Sequence, residues 1–123
     1  MPNKAVTYVK EYVTAYGKDG GGGRALGDKI MVGSLLDYMM QSYSSFTDQA
    51  GHNYGVGALI VTYFCDLKRD EEFQNLQNFL RALKDGKKGE EAIDVLLNGR
   101  SIEELEKSIN RAWRSKGVTL TFR

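Results

Sequence analysis

The chain has 123 residues, 41% of them hydrophobic, and its 17 basic and 16 acidic residues give a formal net charge of +1. That length suits one domain able to bury its own core without disulfide or metal staples, and the apolar content is ordinary for a folded protein. Basic and acidic residues interleave, as in Asp66-Leu67-Lys68-Arg69-Asp70-Glu71-Glu72. No global field draws in nucleic acid or an acidic membrane surface, so nucleic acid is not an expected partner.

Lys4 to Tyr16 carries Val6, Val9, Val13 and Tyr16 at helical spacing and meets Gly17, a suitable C′ residue. Tyr8, Tyr12 and Tyr16 also recur every four residues, an aromatic face suited to core or interface packing. Gly20 to Gly23 follow, inside a Gly-rich stretch over 18–27 that reads as a flexible loop. Neither GxxxxGK[ST] nor GxGxxG can be drawn through it, so a connector is expected there and not a nucleotide cradle.

From Asp28 to Tyr43, Ile30, Leu35, Leu36, Met39 and Met40 predict one or two short helices. Gly33 makes a break before a fresh start at Ser34, with Ser34 as N-cap and Asp37 in the first turn. Met39 and Met40 read as core fillers. Ser44 to Asn53 reads as a polar loop holding Phe46. The lone histidine, His52, then acts as a cap or loop hydrogen-bonding group, not a metal or triad member.

Residues 54–66 are nearly all apolar and predict a helix at the centre of the core. Gly55 and Gly57 near its start would let a neighbouring backbone come close. Cys65, the single cysteine, cannot form an internal disulfide and reads as a buried thiol. The apolar run from Val56 to Cys65 is about ten residues, roughly half of what a bilayer span needs, so no membrane span is expected. The first residues, MPNKAVTYVKEY, contain no apolar core of signal-peptide type. A mature exported chain would lack one as well, and the compartment is left open.

Asp70 to Lys84 places Phe73, Leu76, Leu80 and Leu83 on one stripe and stops at Asp85-Gly86. Gly89 to Leu97 predicts a short helix with Ile93, Leu96 and Leu97 inward, closed by Asn98-Gly99. Ser101 and Glu104 form a capping box, and Ile102, Leu105, Ile109 and Trp113 continue an inward stripe up to Gly117. Lys107, Arg111, Arg114 and Lys116 suit the negative end of that helix. Val118 to Phe122 alternates and can add one edge strand. The acidic pairs Glu71-Glu72, Glu90-Glu91 and Glu103-Glu104 all fall in first helical turns, where the helix dipole accounts for them without catalysis.

The run from Leu35-Leu36 through Phe46, then Tyr54 to Phe64, then Phe79 to Ala92, Gly99 to Glu106 and Ala112-Trp113 resembles a known family. It is similar to the helical C-terminal subdomain of gluzincin-type zinc peptidases, notably bacterial relatives of uncharacterised function in which an HExxH helix precedes it. The likeness covers about two thirds of the chain and rests on the order and apolar spacing of helices. Glu11 and Tyr16 stand at the spacing of that family's third zinc ligand and the tyrosine that follows it, although Tyr12 replaces the small residue expected between them. No HExxH is present, so the two histidine ligands and the general base are missing.

The resulting expectations are a mainly α, single helical domain over 1–123, with five to six helices around a buried helix at about 54–66 and one optional C-terminal strand. No catalytic, cofactor-binding or metal-binding residue is assigned, Glu11 and His52 included, and no cofactor is expected. The resemblance implies a non-catalytic domain that packs against, or shapes the cleft of, an upstream catalytic half. A stand-alone protein–protein interaction module is the alternative.

Overall fold

The structure, a computed structural model, describes residues 4–18, 25–26, 29–41, 47 and 50–122. It is mainly helical. Among the described residues six α-helices occur: α1 (Lys4–Lys18), α2 (Leu35–Met40), α3 (Ala50–Thr62), α4 (Arg69–Lys84), α5 (Glu90–Leu97) and α6 (Ile102–Arg114). A π-helical turn, Tyr63–Leu67, joins α3 to α4. Three short strands, β1 (Ala25–Leu26), β2 (Lys29–Met31) and β3 (Thr119–Thr121), form one sheet in that order.

The helix ends follow local chemistry. Ser34 caps α2 by accepting from the amide of Asp37, after a left-handed Gly33 (φ 85°) that breaks the chain direction. Ser101 and Glu104 form the reciprocal capping box of α6 at 3.1 and 3.0 Å. Asn98 in the left-handed region ends α5, and Gly117 (φ 86°) ends the turn after α6. These ends coincide with the expected ones.

The C-terminal strand is present, and it has partners. β2 pairs with β3 in parallel, Ile30 opposite Leu120, and β1 pairs with β2 as an antiparallel hairpin. The expectation that Ile30 belongs to a helix within Asp28 to Tyr43 is therefore corrected. Among the described residues of that segment only 35–40 are helical, because the backbone of 29–31 is taken into the ladder with β3. The far edge of β3 is closed by α6, where the Asn110 side-chain oxygen accepts from the amide of Leu120 at 3.0 Å. Ala25 and Leu26, placed in the expected loop, are strand residues, while Gly20 to Gly23 lie outside the described residues.

The buried apolar residues form one cluster drawn from α1, α2, α3, the π turn, α5, α6 and β3. Its largest members are Trp113, Tyr63 and Phe64. Trp113 is fully buried and donates its indole N–H to the carbonyl of Leu59 at 2.9 Å, which ties α6 to the middle of α3. Tyr63 and Phe64 meet edge to face at 5.0 Å. Loss of such a side chain to alanine costs about 3–5 kcal/mol in a well-packed core.

Several expectations change here. The central helix begins at Ala50, so His52 and Asn53 are helical residues and not loop residues; Phe46 and the side chain of His52 lie outside the described residues. The central helix is not covered all round, since Tyr54 and Val61 are exposed. Gly57 admits a side chain where a backbone was expected. A Cβ there would stand 3.0 Å from the Tyr38 hydroxyl, which donates to the carbonyl of Asn53 at 2.6 Å. Cys65 is half-buried. Met39 packs partly against the core, whereas Met40 is exposed. The side chains of Val13 and Tyr16 lie outside the described residues.

The α4 stripe is rotated from its expected phase. Leu80 and Leu83 are exposed, while Glu72, Asn75 and Ala82 are buried and Leu76 and Phe79 are half-buried. A polar cluster accounts for this rotation.

Candidate functional site

Glu72 stands in the first turn of α4, where the helix dipole favours an anion. Its side chain points inward and the residue is only 4% exposed. A buried carboxylate is costly unless paired and hydrogen-bonded. Here every acceptor position is filled. Arg100 binds it with two parallel donors, to Oε2 at 2.7 Å and to Oε1 at 3.0 Å. The Tyr63 hydroxyl donates to Oε2 at 2.5 Å and the Asn75 amide to Oε1 at 2.9 Å.

Arg100 comes from the turn between α5 and α6 and is equally engaged. Its Nε donates to the carbonyl of Leu97 at 2.7 Å, and Nη2 also reaches the carbonyl of Leu96 at 3.2 Å. One guanidinium thus caps the C-terminal end of α5 and neutralises the carboxylate of α4.

The ionisation of the cluster follows from this geometry. Burial alone would push the Glu72 carboxyl up, but hydrogen bonds from Arg100, Tyr63 and Asn75, with the Arg100 charge, hold it below the usual carboxylate range. The Glu72 hydrogen bonds raise Arg100 further, against the opposing effect of its own burial. Burial first, then the bond and charge of Glu72, raise the Tyr63 phenol, so it remains a neutral donor. Tyr38, on α2, is pushed up to about 12 by burial.

A carboxylate with four donors has no lone pair left to take a substrate proton, and a phenol so raised gives none up at neutral pH. The cluster is therefore a lock that joins the π turn, α4 and the α5–α6 turn. A second buried carboxylate, Glu106 on α6, accepts from the amide of Leu35 at 2.8 Å and holds the start of α2 against α6.

Glu11 is an exposed residue of α1, and the backbone of His52 is in the first turn of α3. Among the described residues no group of three or more His, Cys, Asp or Glu side chains is placed to hold a metal ion. Within the same residues, no helix is long and apolar enough to cross a membrane. Glu72 was expected to serve the helix dipole alone. Its periodic companions Asn75 and Ala82 are the one local sign of its burial, and they give no indication of Arg100.

The surface has its own pattern. Tyr8 and Tyr12 on α1 are 70% and 46% exposed, so they are not core residues, and Tyr54 and Val61 on α3 are 64% and 51% exposed. α1 and α3 pack against each other, with Val6 and Val56 in the same core. Tyrosines on the outside of two packed helices combine large contact area with few rotatable bonds, the character of protein-contact residues. No protein-family model, curated protein or solved structure matches this chain.

Proposed function

We propose that this protein is a non-catalytic helical module that works through protein–protein contact, using the outer faces of α1 and α3. The observation that carries this reading is the exposure of Tyr8, Tyr12, Tyr54 and Val61 on two helices that pack together. Exposed aromatic residues at this density are characteristic of association surfaces. The saturated Glu72–Arg100 lock supports the non-catalytic half of the reading, because it engages the buried charged groups in holding helices together.

One class of partner is the catalytic half of a zinc-peptidase-like protein, as the order of helices implies. In that case the face would pack beside the cleft of the other half.

A photo-cross-linking amino acid at position 54, expressed in the source cells, tests the contact. Covalent adducts with another polypeptide are expected from position 54 and not from position 87, on the exposed turn after α4. Equal labelling at the two positions, or none at 54, would sink the contact surface. Chelator-sensitive hydrolysis of casein by the purified chain would overturn the non-catalytic reading.

A further inference from the structure

After Glu106 the chain contains no acidic residue, while Lys107, Arg111, Arg114, Lys116 and Arg123 are all basic. Of these, Lys107, Arg111 and Arg114 occupy one exposed stripe of α6 at spacings of four and three residues, and Lys116 is exposed just beyond the helix end. Lys10 of α1 joins them there. A Cβ placed on Gly117 would stand 3.1 Å from the Lys10 ammonium.

Two ordinary explanations for such a patch do not use up its donors. Cations at a helix C-terminus can cap the last carbonyls. Here those carbonyls already have partners: Arg111 from the amide of Ser115, Ala112 from the Ser115 hydroxyl, Trp113 from the amides of Lys116 and Val118, and Arg114 from the amide of Gly117. Cations can also pair with acidic neighbours. None of Lys10, Lys107, Arg111, Arg114 and Lys116 is in an ion pair among the described residues, where the pair is Arg100 with Glu72. Only Lys107 has acidic residues one turn back, at Glu103 and Glu104.

The contrast with other arginines is direct. Arg100 is engaged by Glu72 and two carbonyls, and Arg69 by the carbonyl of Cys65 and the ring of Phe73. Arg111 and Arg114 present their guanidinium forks outward with no such internal role.

We propose that the C-terminal end of α6, with Lys10 and Lys116, binds a short acidic segment of a partner protein in extended form. Four residues of helix rise about 6 Å, and every second residue of an extended chain repeats at about 6.6 Å. Carboxylates on alternate residues of such a segment therefore match the step from Lys107 to Arg111, and the shorter step of about 4.5 Å to Arg114 is taken up by its long side chain. Guanidinium groups take carboxylates with two parallel bonds, which favours arginine in these places. A short acidic peptide fits better than nucleic acid, since the basic patch is local and the chain's formal net charge of +1 supplies no wider field for a long run of phosphates.

Fluorescence anisotropy with the full chain tests this, using a labelled decapeptide of alternating Glu and Ser, a decapeptide of alternating Lys and Ser, and an oligothymidylate of similar length. The acidic peptide is expected to bind, and to weaken at least about fivefold when salt rises from about 0.05 to about 0.3 M. R111Q/R114Q should lower its affinity about tenfold, and K10Q/K116Q should lower it less, because each exposed pair is individually weak. K84Q/K87Q/K88Q, which removes more charge from a distant exposed turn, should change it less than twofold, about the effect expected of unspecific net charge. Circular dichroism melts confirm that all variants remain folded. The proposal fails if the acidic peptide does not bind, if the Lys84 triple variant loses as much as R111Q/R114Q, or if the oligothymidylate binds more tightly.

Discussion

Arg100 and Glu72 are separated by 28 positions in the chain, yet their side chains meet as a two-point ion pair at 2.7 and 3.0 Å. The pair crosses from the α5–α6 turn to the first turn of α4 and holds the helical second half of the chain against the π turn. Breaking one side of such a pair leaves a buried charge without compensation, a loss of about 3–5 kcal/mol. R100M is therefore expected to lower the urea midpoint with little change in slope. E72M/R100M should recover more than half of the loss, because both charges are then gone. A double variant no more stable than R100M would show that the pair is not the origin of the effect.

The same carboxylate sets an acid dependence. Its folded pKa lies below the unfolded value, near 4.5 for an ordinary glutamate, so the unfolded chain binds the extra proton first as pH falls. The contribution is complete above that unfolded value and is lost as pH drops through the folded one. Wild type minus E72Q stability should thus be constant from about pH 7 to about pH 5 and shrink below the unfolded pKa. A difference that stays level down to about pH 2 would contradict this.

At alkaline pH the sign reverses. The Tyr38 phenol is raised to about 12, so the folded state keeps its proton where the unfolded chain has lost it. Stability from this group is present below the unfolded value of 10.0 and is lost as pH climbs towards about 12. Y38F should flatten the alkaline part of the stability curve relative to wild type, measured by urea unfolding at several pH values. Equal slopes in the two proteins would refute it.

Gly57 and Tyr38 form a size-matched pair. A Cβ at Gly57 would stand 3.0 Å from a hydroxyl already fastened to the carbonyl of Asn53, so the ring has little freedom to move aside. G57A is expected to destabilise by about 1 kcal/mol, the cost of overpacking exceeding the helix-propensity gain. In a Y38F background the hydroxyl is gone and the same change should stabilise by up to about 1 kcal/mol. The two backgrounds giving the same sign would rule out the steric account.

On α4, L80K should change stability by less than about 0.5 kcal/mol, as for an exposed site. Enlarging the buried Ala82 to leucine should cost about 1–3 kcal/mol by overpacking. The reverse order in thermal melts would return α4 to its apolar phase.

That offset on α4 shows where sequence reading meets its boundary. Phe73, Leu76, Leu80 and Leu83 form the best apolar stripe of the segment, yet Leu80 and Leu83 face outward. The ion pair with Arg100 brings Glu72 inward, and Asn75 and Ala82 follow it on the same side. Apolar spacing carries no information about a partner in another turn.

The residues alone determined the helical class, the caps at Ser34, Ser101 and Glu104, the left-handed stop at Asn98, and the inward stripe of Leu105, Ile109 and Trp113. These depend on hydrogen bonds and spacings within a few residues, so local chemistry is sufficient. Tertiary structure alone decided that 29–31 is a strand, that Glu72 and Glu106 are buried, and that Tyr8, Tyr12 and Tyr54 are exposed. A strand of three residues exists only through its neighbour, and a buried carboxylate persists only where distant donors converge on it.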